Sequence, residues 1–443
     1  MARREAPAAG PGSRALIVDV IRSAAAISRV ELADLTGLTQ PSISNIVRDL
    51  IADGIIHEIG SADSVRGKPR KLIAIKPANR FGIGFHLGPD TLTCVAVDLT
   101  GGVVGREVVP RPPADRLARQ FDDFTAGLDL PRSRIEGLAI VAPTPYPDDS
   151  AAPDGLPALR AGLADRLGLP VMAENDAAAA ALGEFWSRRV SREQAFGCIY
   201  LGSGIGAGFV FGGALFRGAS FDAGELGHVS IDYAGRECPC GNRGCVERYA
   251  SMAAVVADAA RAGLPLASGP LDRGPLDRGP LDRGPLDRGS LDRGSLDRGS
   301  LDGGSLDGGV PSAEPPGAGG GSAVGTATMS SAYDAVARAA VTGDAAAFAV
   351  LDRAAGHLAV AATSMVNLLD LGRVVLTGPG AALAGSIYAR RLRTHLDRTA
   401  HSRRRHPVVV ELSAQPRDAA SIGAAALIVQ AAVAPGHTPG TSG

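Results

Sequence analysis

Apolar residues recur at helical spacing three times within the first fifty residues of the chain. The first stripe predicts a helix over residues 13–26 and consists of Leu16, Ile17, Val20, Ile21 and Ala24. Ser28 and Glu31 have the spacing of a capping box and predict a second helix that ends near Gly37. Thr39 is the predicted N-cap of a third helix, whose apolar face carries Ile43, Ile46, Val47, Leu50 and Ile51.

The opposite face of the third helix is polar and is formed by Gln40, Ser42, Ser44, Asn45 and Arg48. A short helix, a glycine turn and a second helix with small polar residues at its start make a helix-turn-helix, whose second helix can enter a major groove. We expect base contacts from the first four of these residues and a phosphate contact from Arg48.

Two β-type runs follow, at 55–59 and 72–75, and predict a two-stranded wing. Between residues 66 and 80 there is no acidic residue, and the basic residues are Arg66, Lys68, Arg70, Lys71, Lys76 and Arg80. Basic side chains on a wing can lie along phosphates, and we expect DNA contacts from Arg66, Lys68 and Arg70. The alternative is a helical module that binds another protein. The helix-turn-helix and the basic wing together favour DNA.

Strand-like runs at 81–87, 91–99 and 103–109 come next, joined by tight turns that contain glycine. A helix near 114–127 and a strand at 135–141 follow them, and helices and strands alternate to the end of the chain. The predicted class is therefore α/β. A three-stranded meander at the start is typical of the ribonuclease H-like or actin-like fold.

Three of the five cysteines lie close together, at Cys238, Cys240 and Cys245. Gly241 and Gly244 supply the backbone freedom that three converging thiolates need, so this spacing predicts a metal site. A tetrahedral zinc needs a fourth ligand, and His228 is the candidate. The alternative is a pair of buried or disulfide-bonded cysteines. Cys94 and Cys198 lie in apolar runs and are expected in the core.

Composition and charge narrow the class of protein. The formal net charge of −1 makes no global case for nucleic acid, so the DNA prediction depends on the local charge of the N-terminal region. No apolar run is long enough to span a bilayer, and the N-terminus lacks the apolar centre of a signal peptide. We expect a soluble cytoplasmic protein, a compartment in which clustered cysteines favour metal over disulfide.

Residues 270–309 are eight successive pentads of the form Pro/Ser-Leu-Asp-Arg/Gly-Gly, followed by a Gly-, Pro-, Ser- and Ala-rich stretch. One apolar residue in each pentad is too few to bury a core, which also disfavours a solenoid. The predicted organisation is a disordered tail at 1–12, a winged helix-turn-helix at 13–78 and a second domain at 79–443. A disordered insertion is predicted at 268–328 of the second domain.

Three segments of the second domain resemble motifs of one family. They are 174–184 (Glu-Asn-Asp-Ala and Ala-Ala-Leu-Gly-Glu), the glycine-rich 201–208, and Gly-Glu-Leu-Gly-His at 224–228 followed by the cysteine cluster. The sequence resembles the ROK family, which joins sugar kinases to sugar-responsive repressors, from about Ser13 to Val433. The helix-turn-helix ahead of these motifs is typical of the repressor branch.

The resemblance implies a sugar cleft formed by Asn175, Asp176, Glu225, His228 and Glu247. In the family's kinases Asp176 would be the general base, and the other four side chains would hold sugar hydroxyls. The family's first phosphate loop reads Asp-x-Gly-Gly-Thr, whereas this chain has His86-Leu87-Gly88-Pro89-Asp90. His86 replaces a metal-associated carboxylate, Pro89 removes a backbone donor, and Asp90 adds a negative charge. These changes predict no ATP turnover and leave Asp176 as a vestigial base.

The resemblance is incomplete around the cleft. Residues 142–149 do not match the family's loop that closes over the sugar, and Ala178 stands where asparagine is common. The predicted function is a zinc-containing regulator, a repressor of carbohydrate-related genes, that binds double-stranded DNA as a homodimer or homotetramer and senses a sugar or sugar phosphate. The alternatives are an active sugar kinase with an added DNA-binding module and a regulator with a purely structural pocket that binds no ligand.

Overall fold

The computed structural model describes residues 11–62, 70–143, 155–188, 190, 194–219, 223–266 and 329–433. The predicted tail at 1–12 and insertion at 268–328 therefore lie almost entirely outside the described residues. The same holds for Arg66, Lys68 and most of the segment 142–149.

The N-terminal region is a winged helix-turn-helix. Its elements are α1 (Pro11–Ala24), β1 (Ile27–Ser28), α2 (Arg29–Thr36), α3 (Gln40–Ala52), β2 (Ile56–Ala62) and β3 (Arg70–Ile75). The predicted capping box is present, because the Ser28 hydroxyl accepts from the Glu31 N–H and Glu31 accepts from the Ser28 N–H. Thr39 caps α3, as predicted. Gly37 ends α2 with a positive φ of 69°, a conformation that favours glycine.

The predicted two-stranded wing is present as β2 and β3, and the short β1 adds a third strand to its sheet, in the order β1-β3-β2. Ile27 pairs with Ile73 and Ser28 pairs with Leu72. A two-residue strand carries no periodicity that a sequence pattern could reveal. The residues that β1 pairs with lie 44 and 46 residues further along the chain, beyond the reach of a local pattern.

The first lobe of the large domain is an α/β layer. Its elements are β4 (Phe81–Leu87), β5 (Thr91–Asp98), β6 (Val103–Pro110), α4 (Leu117–Gly127), β7 (Ile135–Ala142), α5 (Gly155–Leu167) and β8 (Val171–Asn175). The sheet order is β6-β5-β4-β7-β8. The first three strands form the predicted antiparallel meander, and β7 and β8 extend the sheet in parallel.

The second lobe repeats this plan. Its elements are α6 (Asp176–Ser187), β9 (Phe196–Leu201), β10 (Ile205–Phe211), β11 (Ala214–Leu215), α7 (Glu247–Ala250), α8 (Met252–Arg261), α9 (Met329–Val341), α10 (Ala345–Leu369), β12 (Arg373–Thr377), α11 (Ala381–Thr399), β13 (Val409–Leu412) and α12 (Ala419–Val433). The order is β11-β10-β9-β12-β13, again with three antiparallel strands followed by two parallel ones. The duplicated layer confirms the predicted actin-like class.

Helices α6 and α12 pack between the two sheets at distances that only glycine permits. A Cβ atom on Gly423 of α12 would lie 1.7 Å from the carbonyl oxygen of Ala179 on α6. Likewise, a Cβ on Gly84 of β4 would lie 2.1 Å from the carbonyl oxygen of Ser421, and one on Gly208 of β10 would lie 2.5 Å from that of Ala177. The two helices are therefore held in one register with both lobes.

Replacing Gly423 with alanine should lower the free energy of unfolding by about 3 kcal/mol, because the added methyl group meets backbone and not a movable side chain. Urea denaturation of the full chain measures this loss. Gly162→Ala on α5 is the matched control, since nothing lies within 4 Å of its Cβ position. The control should be neutral or stabilising by up to about 1 kcal/mol. Equal stabilities of the two variants would contradict the tight helix contact.

The winged helix-turn-helix docks on the two central helices through α1. Arg22 is only 3% exposed, and its Nη1 donates to the carbonyl oxygen of Trp186, near the end of α6, at 3.1 Å. The same guanidinium lies 4.7 Å from the centre of the Trp186 ring. Arg14 Nε donates to the carbonyl oxygen of Val433, at the end of α12, at 3.3 Å. The two domains therefore share a packed junction, which the sequence did not predict.

Helix α10 corrects the expectation that no segment could span a membrane. By length and composition alone its 25 residues are long and apolar enough to do so. However, the helix packs against α7, α8, α9 and α11, and half of its most apolar window is buried inside the protein. We therefore interpret α10 as the core helix of the second lobe.

Candidate functional sites

The recognition helix α3 presents the predicted polar residues on its outer face. Gln40, Asn45 and Arg48 are exposed, whereas Ser42 and Ser44 are half-buried. Arg48 Nη2 donates to Asn45 Oδ1 at 2.8 Å, so the two side chains are held beside each other on the helix surface. The opposite face is anchored by Ile43, Val47 and Leu50, which are buried. Direct DNA contacts by the polar residues stay a prediction.

The wing carries acidic as well as basic side chains. Arg70 is exposed at the start of β3, as its predicted role requires. Glu58 on β2 lies between two cations, 2.5 Å from Lys71 Nζ and 3.2 Å from Arg29. Arg29, at the start of α2, is a basic residue of this surface that sequence reasoning missed. Its only sequence signal was its position directly after the helix cap.

The predicted metal ligands lie together. One ligand atom from each of His228, Cys238, Cys240 and Cys245 lies within 4.8 Å of the other three. The Cys240 and Cys245 sulfurs are 3.7 Å apart, and Cys238 Sγ is 3.6 Å from His228 Nδ1. All five cysteines are free, so the disulfide alternative was wrong.

These distances fit a tetrahedral ion. Bonds of about 2.3 Å to sulfur and 2.0–2.1 Å to nitrogen place two sulfurs about 3.8 Å apart and a sulfur and a nitrogen about 3.6 Å apart. Gly244 adopts a positive φ of 69°, and a Cβ there would lie 1.7 Å from the carbonyl oxygen of Asp232. The four residues could therefore hold a metal ion of zinc's geometry.

The acidities of the three thiols differ because their surroundings differ. Burial raises the pKa of Cys245 to about 12 and also raises the pKa of Cys238. The pKa of the exposed Cys240 is lowered to about 7, first by a hydrogen bond from the backbone N–H of Asn242. Burial disfavours the thiolate forms of Cys238 and Cys245, so a bound dication would have to lower both pKa values before these sulfurs could act as ligands.

The predicted sugar residues surround the start of α6. Asn175 is the N-cap of α6, and its Oδ1 accepts from the N–H groups of Ala177 and Ala178. The next residue, Asp176, is 8% exposed, and its Oδ2 lies 3.8 Å from His86 Nε2. The Asn175 oxygen that was predicted to bind a hydroxyl group is therefore already used by the helix, and Asp176 faces a histidine.

Sequence reasoning missed two further features of this cleft. The Tyr200 ring packs edge-on against the His86 ring, and burial raises the pKa of Tyr200 well above its usual value, with Asp176 adding to the effect. Arg217 Nε pairs with Glu174 Oε2 at 2.7 Å. Glu174 could have been found from the sequence, because it directly precedes Asn175 in the Glu-Asn-Asp-Ala motif.

The remaining predicted sugar residues belong to one segment of the second lobe. Glu225 is exposed, and His228 is half-buried. Glu247 begins α7, and its Oε2 accepts from the N–H of Ile205 at 3.0 Å. Since His228 Nδ1 faces Cys238, its Nε2 is on the other edge of the ring. The four predicted metal ligands, named the metal-ligand cluster, and the two carboxylates Glu225 and Glu247, named the acidic wall, are thus parts of one segment, 225–247.

Two cavities lie outside this cleft. One of about 410 Å³ borders the first loop and is lined by Pro89, Asp90 and Arg111, among others. The other, of about 610 Å³, lies near the end of α6 between the lobes and includes Trp186 and Arg188 in its lining. Neither cavity contains a predicted sugar residue. The cleft is the stronger candidate for the binding site, because polar side chains converge there.

Comparison with known families agrees with this architecture. The ROK family model matches residues 83–272 and 318–431, and a winged helix-turn-helix DNA-binding model matches residues 15–57. The chain belongs to the ROK family. The matched residues of the ROK domain include both lobes, the metal-ligand cluster and the cleft.

Curated relatives of this ROK protein are named as a xylose repressor and as a DNA-binding transcriptional dual regulator. The xylose repressor of Bacillus subtilis (strain 168) is 28% identical over 253 residues, which are 54% of this chain and 66% of that protein. The DNA-binding transcriptional dual regulator NagC of Escherichia coli (strain K12) is 26% identical over 242 residues, 52% of this chain and 60% of NagC. The alignments thus span slightly less than two thirds of these relatives.

Solved structures show the same fold. A ROK family transcriptional regulator described as a homologue of the E. coli MLC protein has a TM-score of 0.64 at 22% identity, and the match covers 96% of this chain and 97% of that one. The ROK hexokinase from Thermus thermophilus has a TM-score of 0.52 at 22% identity, with 78% of this chain and 96% of that chain covered. About a fifth of this chain has no counterpart in the hexokinase.

Proposed function

We propose that this ROK protein is a sugar-responsive, DNA-binding transcription regulator of the cytoplasm, and that it represses carbohydrate-related genes. The observation that carries the proposal is the exposed polar face of α3 in a winged helix-turn-helix that is docked on a ROK domain. The names of the curated relatives, a xylose repressor and NagC, support the same class.

The DNA-binding unit is small, which favours an assembly of more than one copy. We expect one copy to make base contacts through four residues, Gln40, Ser42, Ser44 and Asn45. The residues expected to contact phosphates are Arg48, Arg66, Lys68 and Arg70. Two copies on a palindromic operator double these contacts. We therefore propose a homodimer or homotetramer bound to double-stranded DNA.

Helix α6 connects the proposed sugar cleft to the DNA-binding domain. Asn175 and Asp176 stand at its start inside the cleft, and Trp186 near its end binds Arg22 of α1. A sugar that displaces the start of a packed helix must also displace its end, because close-packed helices move as rigid bodies. We propose that the effector changes the position of the two recognition helices by this route.

We propose a structural zinc at His228, Cys238, Cys240 and Cys245. When bound, the metal supplies a fixed cross-link between residues 228 and 245 and no reaction chemistry. His228 would bind through Nδ1 and turn its Nε2 edge away from the metal, toward the acidic wall. The segment carrying Glu225 and Glu247 would then be held in one position.

We propose that the protein is not a sugar kinase. Phosphoryl transfer requires donors and a metal ion that position the nucleotide phosphates. Here His86 Nε2 lies 3.8 Å from Asp176 Oδ2, Pro89 has no N–H, and Asp90 is an exposed acid. Because a ROK hexokinase has the same fold, residual kinase activity is the alternative to be tested.

Operator binding tests the proposal. The full chain should bind duplex DNA from the upstream region of its own transcription unit more tightly than a scrambled duplex, measured by fluorescence anisotropy at several salt concentrations. Asn45→Ala should cost about 1–3 kcal/mol of this preference. Arg48→Ala should weaken both duplexes alike and reduce the salt slope by about 0.9 for each bound copy of the chain.

Arg119→Ala, an exposed arginine on α4 of the ROK domain, is the control and should change neither quantity. If the affinity for DNA depended neither on the DNA sequence nor on the salt concentration, the proposed regulator function would be contradicted. Release of ADP from ATP in the presence of a hexose would instead favour the kinase alternative.

A further inference from the structure

A strongly basic segment, residues 390–406, lies outside both the winged helix-turn-helix and the cleft. It contains seven arginines and one acidic residue, Asp397, although the formal net charge of the whole chain is −1. The segment comprises the C-terminal half of α11 and the 3-10 turn His401–Arg404 that follows it. All seven arginines are exposed, and together we call them the basic surface: Arg390, Arg391, Arg393, Arg398, Arg403, Arg404 and Arg405.

The apolar residues of this segment all face the core. Leu392, Leu396 and Ala400 are at most 1% exposed and pack in the hydrophobic core of the second lobe. The segment therefore exposes positive charge and no apolar side chain. Surfaces that bind other proteins usually have an apolar centre, which this one lacks. A cationic surface of this composition suits a polyanion instead.

The protein itself neutralises only part of this positive charge. Arg391 Nη1 lies 3.8 Å from Asp352 Oδ2 of α10. Among the described residues, no carboxylate lies within 4.0 Å of three further exposed arginines, namely Arg398, Arg404 and Arg405. An exposed guanidinium without a carboxylate partner can donate two parallel hydrogen bonds to an external phosphate.

The basic surface lies at the end of the second lobe on which the winged helix-turn-helix is docked. The parallel strands β9, β12 and β13 begin at this end, since Phe196 pairs with Arg373 and Arg373 pairs with Val409. The basic segment ends three residues before Val409. Phe185 of α6 packs edge-on against Phe196, with 6.0 Å between the ring centres. The next residue, Trp186, holds α1 of the DNA-binding domain.

The distance between the two features is short on the scale of a DNA duplex. Strand-to-strand steps of about 4.8 Å place the start of β13 about 10 Å from the start of β9, where α6 ends. One turn of duplex DNA is about 34 Å long. The DNA that flanks the base pairs read by α3 therefore extends over several times the distance to the basic surface.

We propose that the basic surface contacts phosphates of the DNA that flanks the operator. It would add affinity that is independent of sequence to the base contacts of α3, because each phosphate that an arginine neutralises releases counterions. The inference rests on the proposed function, since it extends the DNA interface from the winged helix-turn-helix to the ROK domain.

The test compares the affinity of the full-length protein for two duplexes. The shorter contains only the base pairs of the upstream region whose substitution lowers affinity. The longer carries the same base pairs with about one and a half helical turns of random sequence on each side. By fluorescence anisotropy at about 0.1 M salt, the unchanged protein should bind the longer duplex at least about tenfold more tightly.

A triple variant, Arg398→Gln, Arg404→Gln and Arg405→Gln, tests the surface directly. These exposed side chains pair with no described carboxylate, so we expect the fold to persist, and circular dichroism checks it. The variant should lose most of the gain from the flanking DNA, and its salt slope on the longer duplex should fall by up to about 2.7 for each bound copy. Its affinity for the shorter duplex should stay within about twofold of the unchanged protein, because α3 is intact.

The matched control removes three exposed arginines of the first lobe, by Arg116→Gln, Arg119→Gln and Arg160→Gln. It changes the net charge of the chain by the same amount and should keep the full gain from the flanking DNA. Hydroxyl-radical footprinting gives a second measurement. Protection should extend into the flanking DNA for the unchanged protein and the control, and should retreat toward the shorter sequence for the triple variant.

Equal affinities of the unchanged protein for the two duplexes would overturn the proposal, and so would a folded triple variant that keeps the full gain. If the triple variant lost binding to phosphatidylserine–phosphatidylcholine vesicles while both duplex affinities stayed unchanged, the surface would belong to a membrane and the proposal would be wrong. Absence of any operator preference in the unchanged protein would contradict the regulator function and this inference together. That result differs from operator binding that does not depend on the flanks, so the two failures are distinguishable.

Discussion

Replacing Arg22 with methionine should abolish the response of operator binding to the effector while operator binding itself persists. Allosteric coupling energies of about 1–3 kcal/mol correspond to a 5- to 150-fold change in affinity. Without the guanidinium, α1 loses its hydrogen bond to the Trp186 carbonyl and its contact with the Trp186 ring. The measured ratio of operator affinities without and with effector should therefore fall to near one.

Arg14→Met is the matched control for this junction. Arg14 also joins α1 to the ROK domain, but it contacts the end of α12 and not α6. Its effector response should be close to that of the unchanged protein. Trp186→Phe keeps the carbonyl and part of the ring surface and should give an intermediate ratio. A full response in Arg22→Met, with folding confirmed by circular dichroism, would show that α6 does not carry the signal.

Replacing Cys240 with serine should release the metal and destabilise the second lobe. Cys240 is exposed, so the substitution costs little packing, and the loss reflects the missing ligand. We expect a decrease in stability of about 3 kcal/mol or more, because removing one ligand opens a site whose other ligands are partly buried. Metal content by mass spectrometry and melting curves with and without chelator measure the effect.

Cys94→Ser controls for the loss of a thiol. Cys94 is buried in the first lobe, where burial raises its pKa to about 12, and it has no place in the cluster. This variant should keep its metal although it loses some stability. If Cys240→Ser retained a full equivalent of metal and melted like the unchanged protein, the zinc assignment would be wrong.

The metal-ligand cluster and the acidic cleft depend on each other through one segment. Cys245 is two residues from Glu247, whose carboxylate lies in the glycine-rich loop. Tyr249, two residues further on, accepts from the backbone N–H of Arg236 at 2.7 Å and packs against His357 of α10. Release of the metal should therefore weaken effector binding as well as stability.

The sequence by itself determined the features that depend on neighbouring residues. The capping box of Ser28 and Glu31, the Thr39 cap and the α/β meander were predicted correctly. The four residues predicted as metal ligands also lie together, as the sequence predicted. Such signals act over a few residues, through hydrogen bonds at a helix end or through the glycines of a tight turn. These features can therefore be predicted from short stretches of the sequence.

Tertiary structure alone decided the features that join distant parts of the chain. Arg22 and Trp186 are 164 residues apart in the sequence, yet their contact is part of the junction between the domains. The Glu247 carboxylate accepts from the N–H of Ile205, β1 pairs with β3, and the apolar α10 packs against four other helices. The physical reason is that burial and pairing depend on which surfaces the folded chain brings together, and no local pattern of residues encodes these surfaces.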